Sequence, residues 1–252
     1  MKIIIAEEYI PLKKEIHNII ENFELLGRAF NEGQRNSIRI FELEGKQINI
    51  KSFKIPNAVN KIAYKFFRKS KAERSFNYAQ LLTEKGIGTP WPVAFAEESL
   101  PLTFGKSYYA SEHLECDLTY RELVTQPDFS RHEAILRAFT RFTFKMHEQN
   151  VEFLDHSPGN TLIKLNDGNY QFYLVDLNRM NFRELSFEDR MKNFSRLTPK
   201  KEMVQIMANE YAKCIQKPEA EVFEKMWFYT TQFQEKFHRK QRWKKKFKKQ
   251  KP

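Results

Sequence analysis

The spacing of apolar residues shifts along this chain from a helical period to a period of two and back. Leu12, Ile16, Ile19 and Ile20 fall at i, i+4, i+7 and i+8 behind Pro11, which predicts a short helix over 11–22. From 37 to 43, Ile38 and Ile40 alternate with Arg39 and Phe41; Glu44-Gly45 supplies a turn; from 46 to 53, Ile48 and Ile50 alternate with Gln47 and Asn49. That pattern predicts an antiparallel hairpin, preceded by a glycine-containing turn over 31–36. A long helical tract over 57–85, broken near Ser70, presents Phe76, Ala79 and Leu82 on one face and is stopped by Gly86-Ile87-Gly88-Thr89-Pro90. Strands at 93–96 and 106–112 follow, with turn residues at 98–101 between them. The clearest helix spans 128–149, where Ile135, Phe139, Phe142 and Met146 step i, i+4, i+7, i+11 as a core pillar. Two more strands, 161–165 and 170–175, flank the turn signal Asn166-Asp167-Gly168. The remainder reads as helical and polar, without repeats. Strands come early and helices late, the order of an α+β protein.

A chain of 252 residues can bury a real core, as one large domain or as two lobes. Cys116 and Cys214 are far apart with no C-x-x-C spacing, which argues against a disulfide framework or a zinc ribbon and for a reduced, cytoplasmic setting. The apolar start Met1–Ala6 meets Glu7 and Glu8, too soon for a signal peptide, and no later run reaches the length of a membrane span. The net charge of +11 changes meaning once it is located: residues 236–252 carry ten Lys or Arg and no acid, so the body is left at +1. The basic character belongs to a tail, and nucleic-acid binding by the body is disfavoured.

The stretch with the most chemical content is D-H-S-P-G-N, Asp155 to Asn160. Pro158 and Gly159 rule out a regular helix there, so a carboxylate and a carboxamide sit five residues apart on a loop. A second acid, Asp176, follows the strand Phe172-Tyr173-Leu174-Val175. Phosphoryl transfer calls for these groups: an acid to accept the proton of an attacking hydroxyl, and hard oxygen ligands for Mg²⁺. Lys51 shares a strand face with Asn49 while Ile48 and Ile50 point the other way, which suits an ammonium held toward phosphates. Gly33 to Asn36 is a candidate phosphate cover, with a single glycine and the bulky Gln34 and Arg35.

The order of Lys51, then D-H-S-P-G-N, then L-V-D-L-N-R at 174–179 resembles the protein-kinase-like superfamily, and in particular the lipopolysaccharide kinases, the Kdo and heptose kinase family. N-I-K-S-F-K-I-P-N at 49–57 and K-G-I-G-T-P at 85–90 add to the likeness, which covers roughly residues 30–185. The resemblance implies a protein-kinase-like bilobal fold: a small N-terminal antiparallel sheet lobe over 1–112, a larger helical C-terminal lobe over 113–235, and the basic tail at 236–252. It implies ATP as donor, Lys51 on the α/β-phosphates, Gly33, Arg35 and Asn36 near the nucleotide, Asp155 as catalytic base, and Asn160 and Asp176 on Mg²⁺. The strand Tyr108 to Leu114 becomes the adenine hinge, with Glu112 and Leu114 reading the base through their backbones. The implied acceptor is a sugar hydroxyl of the lipopolysaccharide inner core, at the cytoplasmic face of the inner membrane.

Several residues depart from the kinase pattern. Phe153 stands where a histidine precedes the catalytic aspartate by two, and Leu154 replaces a basic neighbour, so packing by Phe153 and Leu154 is expected to hold the loop. D-L-N-R replaces D-F-G, and no A-P-E segment follows, which disfavours a regulated protein kinase. Asn77 or Tyr78 occupies the best-aligned position for the helix glutamate that pairs with the lysine, and Glu73, one turn earlier, is the chosen partner of Lys51. These departures keep two alternatives in play: a kinase with a protein or soluble acceptor, and a membrane-associated pseudokinase. The tail, with Trp243 and Phe247 at i and i+4, reads as a disordered charge run, an anchor on the anionic inner-membrane surface, or, least favoured, a nucleic-acid site.

Overall fold

A computed structural model describes residues 1–32, 36–54, 69–99, 104–166 and 168–248. The chain divides into two compact units, Met1–Glu115 with Val175–Asn178, and Cys116–Leu174 with Arg179–Pro252.

The first unit is built on a six-stranded antiparallel sheet in the order β1-β5-β6-β4-β3-β2, with β1 Lys2–Ile5, β2 Arg28–Glu32, β3 Asn36–Leu43, β4 Lys46–Phe53, β5 Pro92–Ser99 and β6 Phe104–Glu112. The hairpin read from the alternation at 37–53 is β3–β4, with Leu43 opposite Lys46 and Asn36 opposite Phe53. On β4, Ile48 and Ile50 are buried while Asn49 and Lys51 are half-buried on the opposite face, as period-two alternation requires. A 3₁₀ turn, Glu7–Leu12, leads into α1, Lys13–Glu21, which buries Ile16, Ile19 and Ile20. Phe23 then packs between Phe41 and Tyr108, at ring-centroid distances of 5.9 and 5.2 Å. Gly27 has φ +79°, and a Cβ there would lie 2.7 Å from the Phe41 ring, so only glycine suits the turn into β2. Helix α2, Lys71–Glu84, is capped by the Ser70 hydroxyl, which accepts from the Glu73 N–H, and sets Phe76 against Phe95.

The second unit carries a three-stranded sheet in the order β10-β9-β7 and a two-stranded ribbon of β8 and β11. Its strands are β7 Leu118–Thr119, β8 Val151–Phe153, β9 Thr161–Asn166, β10 Asn169–Leu174 and β11 Met180–Phe182. Its helices are α3 Tyr120–Thr125, α4 His132–Glu148, α5 Phe187–Asn193, α6 Lys201–Ile215 and α7 Glu219–Lys248. Phe139 of α4 is fully buried, 4.4 Å from Tyr120 and 5.6 Å from Phe172 by ring centroids, which makes α4 the pillar of this core.

Two expectations need correction, and one strand lies outside those the periodicity predicts. That strand is β1, in the start Met1–Ala6, paired antiparallel with β5. The C-terminal part is not polar throughout: α6 buries Met203, Val204, Met207, Ala208 and Tyr211, and residues 180–182 form β11. The basic segment is not a loose run up to residue 248 but the end of the 30-residue α7, exposed over 236–245. The long tract at 57–85 is seen only from Lys69 on, and residues 57–68 lie outside the described residues, as do Gly33, Gln34, Arg35 and Asp167. Among the described residues, no helix is long and apolar enough to cross a membrane.

Candidate active site

In the first unit, the two-residue period of β4 turns Lys51 away from the Ile48–Ile50 face, and its Nζ donates to Asp176 Oδ1 at 2.7 Å. The lysine side chain is 15% exposed and lies over the Phe53 ring, 5.3 Å from the centroid. Asp176 comes two residues after β10 ends and is held at φ +59°, a left-handed conformation that costs a residue with a Cβ about 1 kcal/mol or more. Asn178 offsets that cost, donating from Nδ2 to the same Oδ1 at 2.7 Å while itself only 8% exposed. Asp176 therefore has one oxygen fixed by two donors, and its Oδ2 has no hydrogen bond among the described residues.

Glu73, expected to pair with Lys51, makes its ion pair with Lys69 at 3.4 Å. The reason is local: the Ser70 cap places Glu73 in the first turn of α2, one turn along from Lys69. Asn36 opens β3, whereas Gly33 and Arg35 lie outside the described residues.

Glu112 ends β6. Its N–H donates to the Trp91 carbonyl at 2.8 Å, and the next residue, His113, donates to Gln47 O at 2.7 Å. The Glu112 carboxylate accepts from Lys46 Nζ at 2.6 Å and from the Tyr9 hydroxyl, and the Lys46 ammonium lies 5.4 Å from the Tyr9 ring centroid. Burial opposes ionisation of Glu112, but the hydrogen bonds from Lys46 and Tyr9 prevail and hold its carboxyl below the usual range. Leu114 follows, half-buried, at the end of the unit.

In the second unit, the loop after β8 carries Asp155 and Asn160. Asn160 ends a single 3₁₀ turn, Pro158–Asn160, and its Nδ2 donates to the Asp155 carbonyl at 2.8 Å, while its Oδ1 has no hydrogen bond among the described residues. Arg196 makes the decisive contact: its Nη1 forms an ion pair with Asp155 Oδ1 at 2.7 Å and donates to the Leu154 carbonyl at 3.0 Å, with its guanidinium 5.5 Å from the Phe233 ring centroid. Support for Asp155 was expected from apolar packing by Phe153 and Leu154. Phe153 is fully buried, but the support includes a charged partner that no neighbouring residue in sequence supplies.

A buried chain of hydrogen bonds fixes β8 behind the loop. Asn193 Nδ2 donates to the Phe153 carbonyl at 2.9 Å, so its Oδ1 accepts from His147 Nε2, at 3.1 Å, and His147 Nδ1 takes the Tyr211 O–H, at 2.8 Å. His147 is thereby a neutral imidazole, and burial pushes its pKa down to about 4. His156 is buried against Phe139 and Phe153, and burial takes its pKa down to about 3.

Asp176 in the first unit and Asn160 in the second each keep a side-chain oxygen without a hydrogen bond among the described residues, and hard oxygens of this kind are the donor type that Mg²⁺ takes. Among the described residues, no group of three or more His, Cys, Asp or Glu could hold a metal ion by itself. Sequence reasoning missed Asn178, Arg196, Asn193 and Tyr211. Only Asn178 had a signal, as part of the D-L-N-R motif.

No curated protein matches this chain. A solved structure described as WaaP in complex with acyl carrier protein is similar, with a TM-score of 0.64 at 15% identity over 95% of this chain and 99% of that one. At that identity the likeness is one of fold, and the fold is the α+β kinase-like one expected. The model of the lipopolysaccharide kinase (Kdo/WaaP) family matches residues 24–217, a span that includes Lys51, Asp155, Asn160 and Asp176. The chain therefore belongs to the lipopolysaccharide kinase (Kdo/WaaP) family and is a kinase acting on a sugar of the lipopolysaccharide core.

Proposed function

We propose that this kinase transfers the γ-phosphoryl of ATP, with Mg²⁺, to a hydroxyl of Kdo or heptose in the lipopolysaccharide inner core. The observation that carries the reading is the Lys51–Asp176 ion pair: a strand ammonium and the acid after β10, adjacent in one unit and fixed by Asn178. With nucleotide bound, Lys51 neutralises the α/β-phosphates. Asp176 Oδ2 and Asn160 Oδ1 would hold Mg²⁺, which when bound neutralises charge on the phosphate oxygens. The Glu112 carbonyl and the Leu114 N–H read the adenine edge, since the Glu112 N–H is already committed to Trp91. Asn36, which opens β3, is assigned to the phosphates.

Asp155 acts on the acceptor. Its carboxylate takes the proton of the sugar hydroxyl as the oxygen–phosphorus bond forms and the bond to the bridging oxygen of ADP breaks. Arg196 and Asn160 set the carboxylate and its backbone before the acceptor arrives. The exposed basic end of α7, with Trp243 64% exposed, would hold the enzyme at an anionic membrane surface beside a lipid-linked acceptor, each basic residue contributing about 1 kcal/mol.

The test is transfer from γ-labelled ATP to purified lipopolysaccharide, with casein as the competing acceptor. Label in the lipopolysaccharide that disappears with Asp155→Asn supports the reading; label in casein alone would overturn it. Removal of residues 236–252 should weaken sedimentation with anionic vesicles, most clearly at low salt, and binding indifferent to salt would contradict the tail's role.

A further inference from the structure

The arginines near the catalytic loop of the second unit are mostly paired. Arg137 and Arg141 meet Glu210, Arg183 meets Glu152 and Asp189, Arg190 meets Glu148, and Arg196 meets Asp155. Arg121 differs. It is exposed, and its side chain has no hydrogen bond or ion pair among the described residues. The adjacent acid, Glu122, attracts the Arg121 charge through space but makes no ion pair with it, its carboxylate being held in the capping box of α3, where it accepts from the Thr119 N–H at 2.7 Å and the Thr119 hydroxyl at 2.6 Å.

The guanidinium nevertheless has a defined place. A Cβ added at Gly159 would lie 2.6 Å from Arg121 Nη2 and 3.6 Å from its Cζ, so the fork rests directly on the catalytic-loop backbone. Glycine at 159 makes that approach possible. Asn160, the next residue, is tied to the Asp155 carbonyl at 2.8 Å, so the loop under Arg121 closes back on the acid that receives the acceptor hydroxyl. A planar fork of donors seated on this loop, with no hydrogen bond of its own among the described residues, matches the two oxygens of a carboxylate or phosphate.

We propose that Arg121 is a substrate-binding residue that anchors an anionic group, a carboxylate or a phosphate, on the acceptor sugar. The inference rests on the reading of Asp155 as the acceptor's base and deepens it. The acceptor is favoured over the nucleotide because Arg121 belongs to the same unit as Asp155 and rests on the loop that carries it, whereas the lysine assigned to the nucleotide phosphates belongs to the other unit.

The test is steady-state kinetics of the full chain with ATP and three forms of lipopolysaccharide acceptor: native, carboxyl-reduced and dephosphorylated. Arg121→Gln should raise the KM for native acceptor about tenfold and leave the KM for ATP within twofold, with Arg121→Lys in between and the exposed Arg131→Gln without effect. The wild type should lose the same tenfold on whichever modified acceptor lacks the anchored group, and Arg121→Gln should lose nothing further on it. Gly159→Ala, whose methyl displaces Nη2 without removing the charge, should reproduce Arg121→Gln, and the double variant should be no worse than either. Unchanged acceptor KM in Arg121→Gln, an equal loss on all three acceptors, or a rise in the KM for ATP instead would each overturn the proposal. Asp155→Asn assayed alongside separates the two claims: transfer retained there sinks the base assignment, whatever Arg121→Gln does to acceptor KM.

Discussion

Arg196→Met isolates the charged support of the catalytic loop. The substitution keeps a long side chain against Phe233 and removes an ion pair with Asp155 Oδ1 at 2.7 Å and a hydrogen bond to the Leu154 carbonyl at 3.0 Å. A hydrogen bond from a charged group contributes about 1.5–3 kcal/mol, and a partly exposed ion pair up to about 1 kcal/mol. The Arg196 and Asp155 side chains are 33% and 22% exposed, so solvent screening takes a substantial part, and about 2 kcal/mol in total is a fair figure. If that support acts on the geometry of Asp155 during transfer, the loss appears in the barrier, where about 1.4 kcal/mol is tenfold, giving a fall in kcat of about 30-fold. The assay is steady-state transfer at saturating ATP and acceptor, with urea unfolding of the same variant as a control. A kcat within twofold of wild type, or a fall matched by collapse of the fold, would refute a positioning role for Arg196.

Asn193→Leu leaves the Phe153 carbonyl and the His147 N–H buried without partners, and should cost about 2–4 kcal/mol in urea unfolding; a loss under 1 kcal/mol would show that β8 is not held by this chain. The same region sets a pH limit. His147 and His156 have folded pKa values depressed to about 4 and about 3, so the unfolded chain binds protons that the folded one refuses as pH falls below about 6.5. Their contribution is complete above that pH and is lost as pH falls toward about 4 for His147 and about 3 for His156, at up to about 1.4 kcal/mol per pH unit for each histidine. Urea midpoints should therefore drop between pH 7 and pH 5, before the carboxylates titrate, and a flat profile there would contradict the buried neutral histidines. Gly27→Ala should destabilise by about 2–4 kcal/mol, from the left-handed backbone and the clash with Phe41, and an unchanged melting temperature would refute the tight turn.

What could be read from the sequence was what repeats locally. The alternation on 46–53 gives β4 and the correct face for Lys51, because strand geometry alone decides which side chains share a face. The loop residues Asp155 and Asn160 were legible because proline and glycine mark the loop and the spacing of acid and amide suits phosphoryl transfer. β1 was hidden because three consecutive isoleucines have no period, although the fold buries them unequally. The core face of α6 was in the sequence at Met203, Val204, Met207, Ala208 and Tyr211, diluted by the Lys and Glu between them. Arg196 could not be foreseen: it lies on a segment that meets Asp155 only through the packing of the second unit's core, and nothing in its neighbourhood differs from an ordinary surface arginine. The pairing of Lys51 with Asp176 rather than Glu73 is of the same kind, since it depends on the four residues Val175–Asn178 joining the first unit.

The central claim is that Asp155 serves a kinase of the lipopolysaccharide core. Its most direct test is mass spectrometry of the core oligosaccharide from cells lacking the gene and from the same cells complemented with the wild type or with Asp155→Ala. One phosphate should be missing without the gene, restored by the wild type and still missing with Asp155→Ala; the same phosphate content in all three would contradict the account.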